Sequence, residues 1–209
     1  KPSSAASDVY KRQGQTEVDV RRLGCDVLVA TTRKWLRGPR GMALLYVSQP
    51  AVAMMHPNPA PELAGLRLDR ETQRFLDLPQ ARRFDASDVS IMNQVTLTTA
   101  IKELQQITLE ALREHLTTLT ERIYELARER GFRPLLQQPE SGIATIHLPD
   151  AAPLQIHQKL DAAGIVAKVC DTAAEPLNVR LPTTGALVRI SPHWHNTKDD
   201  IDRAMAALR

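Results

Sequence analysis

A long helical pattern that ends abruptly at Gly131 constrains the fold of this chain more than any other feature. Between residues 89 and 130, apolar residues recur mostly three or four positions apart, which is the spacing of one long amphipathic helix or of two in series. The residues that set this period are Ile101, Leu104, Leu112, Leu116, Leu119, Ile123 and Leu126. Gly131 then stands where helices commonly end in a left-handed residue.

After this glycine, short units follow in which strands and helices alternate. The predicted elements are a strand at 142–148, a helix at 153–164, a strand at 165–169 and a strand at 187–191. A closing helix comes next, and Thr197 with Asp200 three residues later resembles a capping box. Strands that alternate with helices indicate an α/β fold, with a small α/β domain packed on the long helix.

The sequence before the long helix is less regular. Residues 19–24 predict a short helical turn closed by glycine, and the apolar runs 27–30 and 42–47 predict two buried strands. Residues 49–79 contain five prolines, so we predict a surface excursion there without a helix or a sheet. Residues 1–13 are rich in Ser and Ala and then polar, and we interpret them as an unrelated or disordered leader.

Composition excludes several classes of protein. The chain has 209 residues, 43% hydrophobic and 24% charged, which is the mixture of an ordinary globular protein. A net charge of +3 is too small for a dedicated nucleic-acid binder, and no apolar run approaches the roughly 20 residues that cross a bilayer. Cys25 and Cys170 have neither disulfide nor metal spacing. We therefore predict a cytoplasmic protein without a metal, a membrane or a nucleic acid as partner.

The loop between the two predicted strands, residues 31–41, is the most unusual segment. It contains four basic residues, Arg33, Lys34, Arg37 and Arg40. A lysine that condenses with an aldehyde must lose its proton, and both neighbouring cations and apolar side chains such as Trp35 favour the neutral amine. The hydroxyls of Thr31 and Thr32 and the guanidinium of Arg33 suit a phosphate ester. On charge pattern alone, an ordinary solvated basic loop is favoured, and a module that binds phosphate or nucleic acid is a further alternative.

A longer stretch around this loop resembles a known family. The segments that carry the resemblance are Gly14-Gln15, Val18-Asp19-Val20, Leu23-Gly24-Cys25-Asp26, the run from Arg33 to Gly41, and Leu45-Tyr46-Val47. They look like the lysine region of class V aminotransferase-fold enzymes, which use pyridoxal 5′-phosphate (PLP). The sequence Lys-Trp-Leu-Arg-Gly-Pro-Arg-Gly is most similar to the corresponding segment of epimerase-like and lyase-like members of this family. Residues 188–201 are similar to the family's closing motif, so the resemblance runs from Gly14 to Arg209.

This resemblance implies a role for individual residues. Lys34 would be the Schiff-base lysine and the base that moves the Cα proton of the substrate. Thr31 and Arg33 would stand at the phosphate-binding positions, where Arg33 replaces the usual histidine. Arg189 would clamp the α-carboxylate of the substrate. Counting back without a gap places Asp8 at the aspartate that pairs with the pyridine nitrogen, and whether it fills that role stays open.

The resemblance also implies a fold and a function. Family members are nearly twice as long as this chain, so we expect the C-terminal half of a fold-type-I PLP enzyme. Residues 14–88 would belong to the PLP-binding large domain, and residues 89–209 would form the linker helix and the small α/β domain. The intact enzyme would be a homodimer that acts on an amino acid by transamination, C–S lysis or epimerisation. We expect the chain alone to be inactive, and a catalytically dead α/β fragment is the competing hypothesis.

Overall fold

The structure is a computed structural model that describes residues 14–15, 17–55, 66–85, 88–172 and 184–209. The expected leader at 1–13, which includes Asp8, lies outside the described residues. The chain forms two compact units, Lys1–Leu109 and Glu110–Arg209. The predicted assignment of residues 89–209 to one C-terminal domain remains a prediction.

The first unit contains short helices and two antiparallel strand pairs. Its elements are α1 Val20–Leu23, β1 Val27–Thr31, β2 Ala43–Val47, α2 Gln49–Met54, β3 Leu66–Asp69, β4 Arg74–Asp77, the 3-10 helix Gln80–Phe84 and α3 Ile91–Gln106. β1 pairs with β2, and β3 pairs with β4. The predicted turn closed by Gly24 is confirmed, because this residue ends α1 in the left-handed region at φ 61°.

The two strands predicted before the long helix are present, but they are less buried than expected. Val29 is 52% exposed and Leu45, its register partner on β2, is 43% exposed. Ala30, at 0%, is buried as predicted. The difference arises because β1 and β2 form a sheet of only two strands within the described residues, so much of its apolar surface has no cover.

The prediction of a surface excursion without a helix or a sheet at 49–79 was wrong. α2 begins inside this segment, where the Ser48 side chain accepts a hydrogen bond from the Ala51 backbone N–H and Pro50 occupies the first turn. Proline is tolerated there because the first N–H groups of a helix have no intrahelical partner. β3 and β4 form a hairpin between the prolines, and the Asp69 carboxylate accepts the Glu71 N–H in its turn at 3.0 Å.

The second unit is an α/β layer on one four-stranded sheet. Its elements are α4 Leu109–Glu129, β5 Arg133–Pro134, β6 Ala144–Leu148, α5 Pro153–Ala162, β7 Lys168–Asp171, β8 Ala186–Ile190 and α6 Lys198–Ala206. The strand order is β5-β6-β8-β7, and every neighbouring pair is antiparallel. The long helical pattern is thus two helices in series, α3 and α4, and Gly131 follows α4 with φ 73°, as predicted.

The core of the second unit lies on one face of this sheet. Alternate strand residues such as Ile146 and Val188, both fully buried, pack with apolar residues of α4, α5 and α6 such as Ile123 and Met205. The predicted capping box is confirmed at the start of α6, where Thr197 and Asp200 each accept the other's backbone N–H. None of the described helices is both long enough and apolar enough to span a bilayer.

Candidate functional site

Lys34 lies in the loop that joins β1 to β2, and hydrogen bonds close the base of this loop. The Thr32 side chain is fully buried, and its hydroxyl donates to the Met42 carbonyl at 2.9 Å. The Gly38 N–H donates back to the Thr32 carbonyl at 2.7 Å, and the Arg37 N–H donates to the Lys34 carbonyl at 2.9 Å. The backbone that carries Lys34 is therefore fixed on both sides.

Two glycines lie where the packing of this loop leaves no room for a Cβ. A Cβ on Gly38 would lie 2.7 Å from the Thr32 Cβ and 2.8 Å from the Leu97 Cδ1. A Cβ on Gly14 would lie 2.7 Å from the carbonyl carbon of Trp35. A larger residue at either position would displace its neighbours, so the loop conformation depends on both glycines.

The candidate site residues of the first unit differ in exposure. Lys34 and Thr31 are half-buried, and Arg33 is exposed. Trp35 and Leu36, which follow Lys34, are only 7% and 8% exposed. Lys34 is thus followed in the chain by two buried apolar side chains that anchor the turn.

Helix α3 contacts the C-terminal part of the loop, at Arg37 and Arg40. Arg37, which has a left-handed φ of 56°, forms an ion pair with Glu103 at 2.9 Å. The Asn93 side-chain N–H donates to the Arg40 carbonyl at 3.2 Å. A nucleic-acid site needs exposed cations and an aromatic face for stacking. The paired Arg37 and the buried Trp35 argue against that alternative.

Arg189 lies in the second unit, on the strand β8. It is exposed, and its neighbours across the sheet are Thr145 on β6 and Lys168 on β7. Among the described residues, neither Arg189 nor Lys168 forms an ion pair. Sequence reasoning identified Arg189 but missed Lys168, because strand register does not follow from the sequence of either strand alone.

His193 and His195 make local contacts. Their rings stack with centroids 5.4 Å apart, and the His193 N–H donates to the Asn196 side chain at 2.8 Å. In the part of the chain that the structure describes, no cluster of His, Cys, Asp and Glu could hold a metal ion.

Comparison with known proteins points to one family. A family model described as aminotransferase class-V matches residues 5–204. The chain is 27% identical to an uncharacterized aminotransferase, YcbU, from Bacillus subtilis, over 95% of this chain and 49% of that protein. It is 29% identical to a probable cysteine desulfurase from Halalkalibacterium halodurans, over 92% of this chain and 47% of that protein. The chain therefore spans about half the length of these relatives.

Solved structures also match this chain over about half of their own length. The apo cysteine desulfurase of Thermococcus onnurineus matches with a TM-score of 0.78 and 21% identity, over 98% of this chain and 50% of that chain. A C-DES variant with glycine covalently linked to its PLP cofactor matches with a TM-score of 0.79 and 18% identity, over 95% of this chain and 49% of that chain. These matches confirm the predicted α/β fold as part of the fold that these enzymes share.

Proposed function

Because the chain belongs to the class-V aminotransferase family, we propose that Lys34 is the amine that holds PLP in an enzyme acting on an amino acid. The observation that carries the proposal is the placement of Lys34. It is half-buried, in a turn whose hydrogen bonds and glycine contacts fix the backbone and whose next two side chains are buried. An exposed lysine on a free loop would have none of these features.

The residues around Lys34 fit a phosphorylated aldehyde. Arg33 is exposed, so its guanidinium can form a charge-assisted bond with a phosphate. Thr31, half-buried at the end of β1, is the hydroxyl we assign to the same group. Thr32 is not assigned there, because its hydroxyl closes the loop on the Met42 carbonyl. When bound, PLP supplies an electron sink for the substrate Cα.

Proton transfer and substrate binding fall to two residues in the proposal. Lys34 Nζ accepts the proton from the substrate Cα, for which it must be uncharged and sheltered from water. Arg189 binds the α-carboxylate, because its planar fork matches two carboxylate oxygens and it has no ion-pair partner within the described residues. We propose transamination or C–S lysis as the reaction, supported by the names of the relatives, and a cytoplasmic homodimer as the intact enzyme.

Reductive labelling tests the proposal without requiring turnover. The chain is incubated with equimolar PLP, reduced with borohydride, digested and analysed by mass spectrometry. We expect the pyridoxyl group on Lys34 in clear preference to the exposed Lys102. Lys34→Ala should abolish the preferred label, whereas the matched variant Lys102→Ala should keep it. Equal labelling of the two lysines would contradict the proposal.

A catalytically inactive fragment remains the second candidate. It is supported by the coverage of the relatives, since the chain spans about half their length. Under this hypothesis PLP binds the wild-type chain no better than it binds Lys34→Ala. Absorbance titration of both proteins with PLP separates the two hypotheses, and we expect that the wild type alone shows a saturable change.

A further inference from the structure

Two exposed basic side chains stand side by side on the face of the sheet opposite the core of the second unit. Lys168 on β7 and Arg189 on β8 are register partners in an antiparallel pair, and both are exposed. Residues directly opposite each other in such a pair point to the same face, with Cβ atoms about 4.5–5.5 Å apart. The face opposite the core therefore carries two neighbouring cations.

The described strands carry no acidic residue on the same face as this pair. On the described strands, the residues of this face are Arg133, Thr145, His147, Lys168, Cys170, Leu187 and Arg189. None of them is acidic, and Lys168 and Arg189 form no ion pair among the described residues. By contrast, Arg122 in the same unit pairs with Asp202 at 2.8 Å. Like charges directly opposite each other destabilise a sheet, so a bound anion would stabilise this arrangement.

We propose that Lys168 determines specificity and that the substrate is an amino acid with a second acidic group, a dicarboxylic amino acid. This inference rests on the proposed function, in which Arg189 binds the α-carboxylate. One carboxylate accepts both parallel N–H groups of the Arg189 guanidinium fork. The ammonium of Lys168, a point charge with three donors, is then left for the second acidic group. Thr145, the neighbour of Arg189 on the other side, is neutral and does not select for charge.

Binding of small carboxylates tests the pair without PLP. The probes are succinate and butyrate, which have the same number of carbons, and inorganic phosphate. Each is titrated into the full chain at low ionic strength and followed by NMR. We expect succinate to bind about tenfold more tightly than butyrate, because the second carboxylate gains a charge-assisted hydrogen bond.

Three variants assign this preference to residues. Lys168→Gln should reduce succinate affinity to that of butyrate, and Arg189→Gln should weaken both ligands. Lys102→Gln removes one exposed positive charge from the first unit and should change neither. Lys168→Gln should also raise the urea midpoint of the free protein slightly, because it removes the repulsion from Arg189. A lower midpoint would contradict the premise that the pair is repulsive.

The outcomes separate this inference from the proposed function. If succinate and butyrate bind equally, or if phosphate binds as tightly as succinate, the dicarboxylate assignment is wrong even when Lys34 is labelled by PLP. If Lys34 is not labelled while the succinate preference depends on Lys168, the proposed function fails and the anion site stands.

Discussion

Gly38→Ala adds a methyl group where the Lys34 loop has no room for one. The new carbon would lie 2.7 Å from both Cβ and Oγ1 of Thr32, and 2.8 Å from the Leu97 Cδ1. The Leu97 methyl can rotate away, but the Thr32 Cβ is bonded to the backbone and its hydroxyl is held by the Met42 carbonyl. The loop must therefore move, at a cost of about 1–3 kcal/mol typical of overpacking.

Fluorescence of Trp35 measures this displacement. The sequence has two tryptophans, so in a Trp194→Phe background Trp35 is the single emitter. Trp35 is only 7% exposed, and we expect its emission to shift to the red in Gly38→Ala as water reaches the indole. The urea midpoint and the PLP labelling of Lys34 should fall together with this shift.

Gly24→Ala is the matched control for this experiment. Gly24 has a positive φ of 61°, and nothing lies within 4 Å of an added Cβ. This variant costs about 1–2 kcal/mol through backbone strain alone. It should lower stability and leave both the Trp35 emission and the labelling of Lys34 unchanged. If Gly38→Ala keeps the wild-type emission and labelling, the packing argument is refuted.

Three further predictions concern the second unit. Ile123→Ala truncates a fully buried core side chain and should lower the free energy of unfolding by about 2–5 kcal/mol in urea titrations. The control Leu154→Ala truncates an exposed side chain and should change the free energy of unfolding little. Thr197→Ala deletes the hydroxyl that accepts the Asp200 N–H and should cost about 1 kcal/mol by thermal circular dichroism; Thr197→Ser should restore most of it. The hydrogen bond from the Arg122 guanidinium holds the pKa of Asp202 below its usual value. The ionised carboxylate therefore stabilises the folded state at any pH above the unfolded pKa of about 3.9. This stability is lost as the pH falls through the lower pKa of the folded state. Asp202→Asn should therefore flatten the decline of the urea midpoint below about pH 4, and an unchanged profile would contradict this assignment.

The elements after Gly131 could be predicted because local chemistry determines them. Gly131 and Gly164 both adopt positive φ where the helices end, and Thr197 with Asp200 forms the cap expected from their spacing. The strand predicted at 165–169 lies a few residues later, at Lys168–Asp171. Its position depends on pairing with β8 rather than on the apolar residues of its own segment.

The wrong and the missing predictions have two causes. One is a local rule that was applied too widely, and the other is contact between residues far apart in the sequence. The rule that proline breaks helices fails at Pro50, because Ser48 marks a helix start in which proline fits the first turn. Strand β3 alternates apolar and polar residues, a signal that the surrounding prolines obscured, whereas β4 has Phe75 and Leu76 in succession. Arg37 with Glu103, 66 residues apart, and Lys168 opposite Arg189 are contacts that only tertiary structure creates. The roles of Thr31, Arg33, Lys34 and Arg189 come from the family resemblance and stay predictions.

The strand pair of β1 and β2 has a consequence for how the protein behaves at high concentration. Within the described residues each strand has one unpaired edge, and apolar side chains including Val29, Leu44 and Leu45 stand exposed beside it. Such an edge can template the addition of a strand from another molecule. Because these side chains are exposed in the described structure, aggregation through them would need no unfolding, and mutations that only stabilise the core would not prevent it.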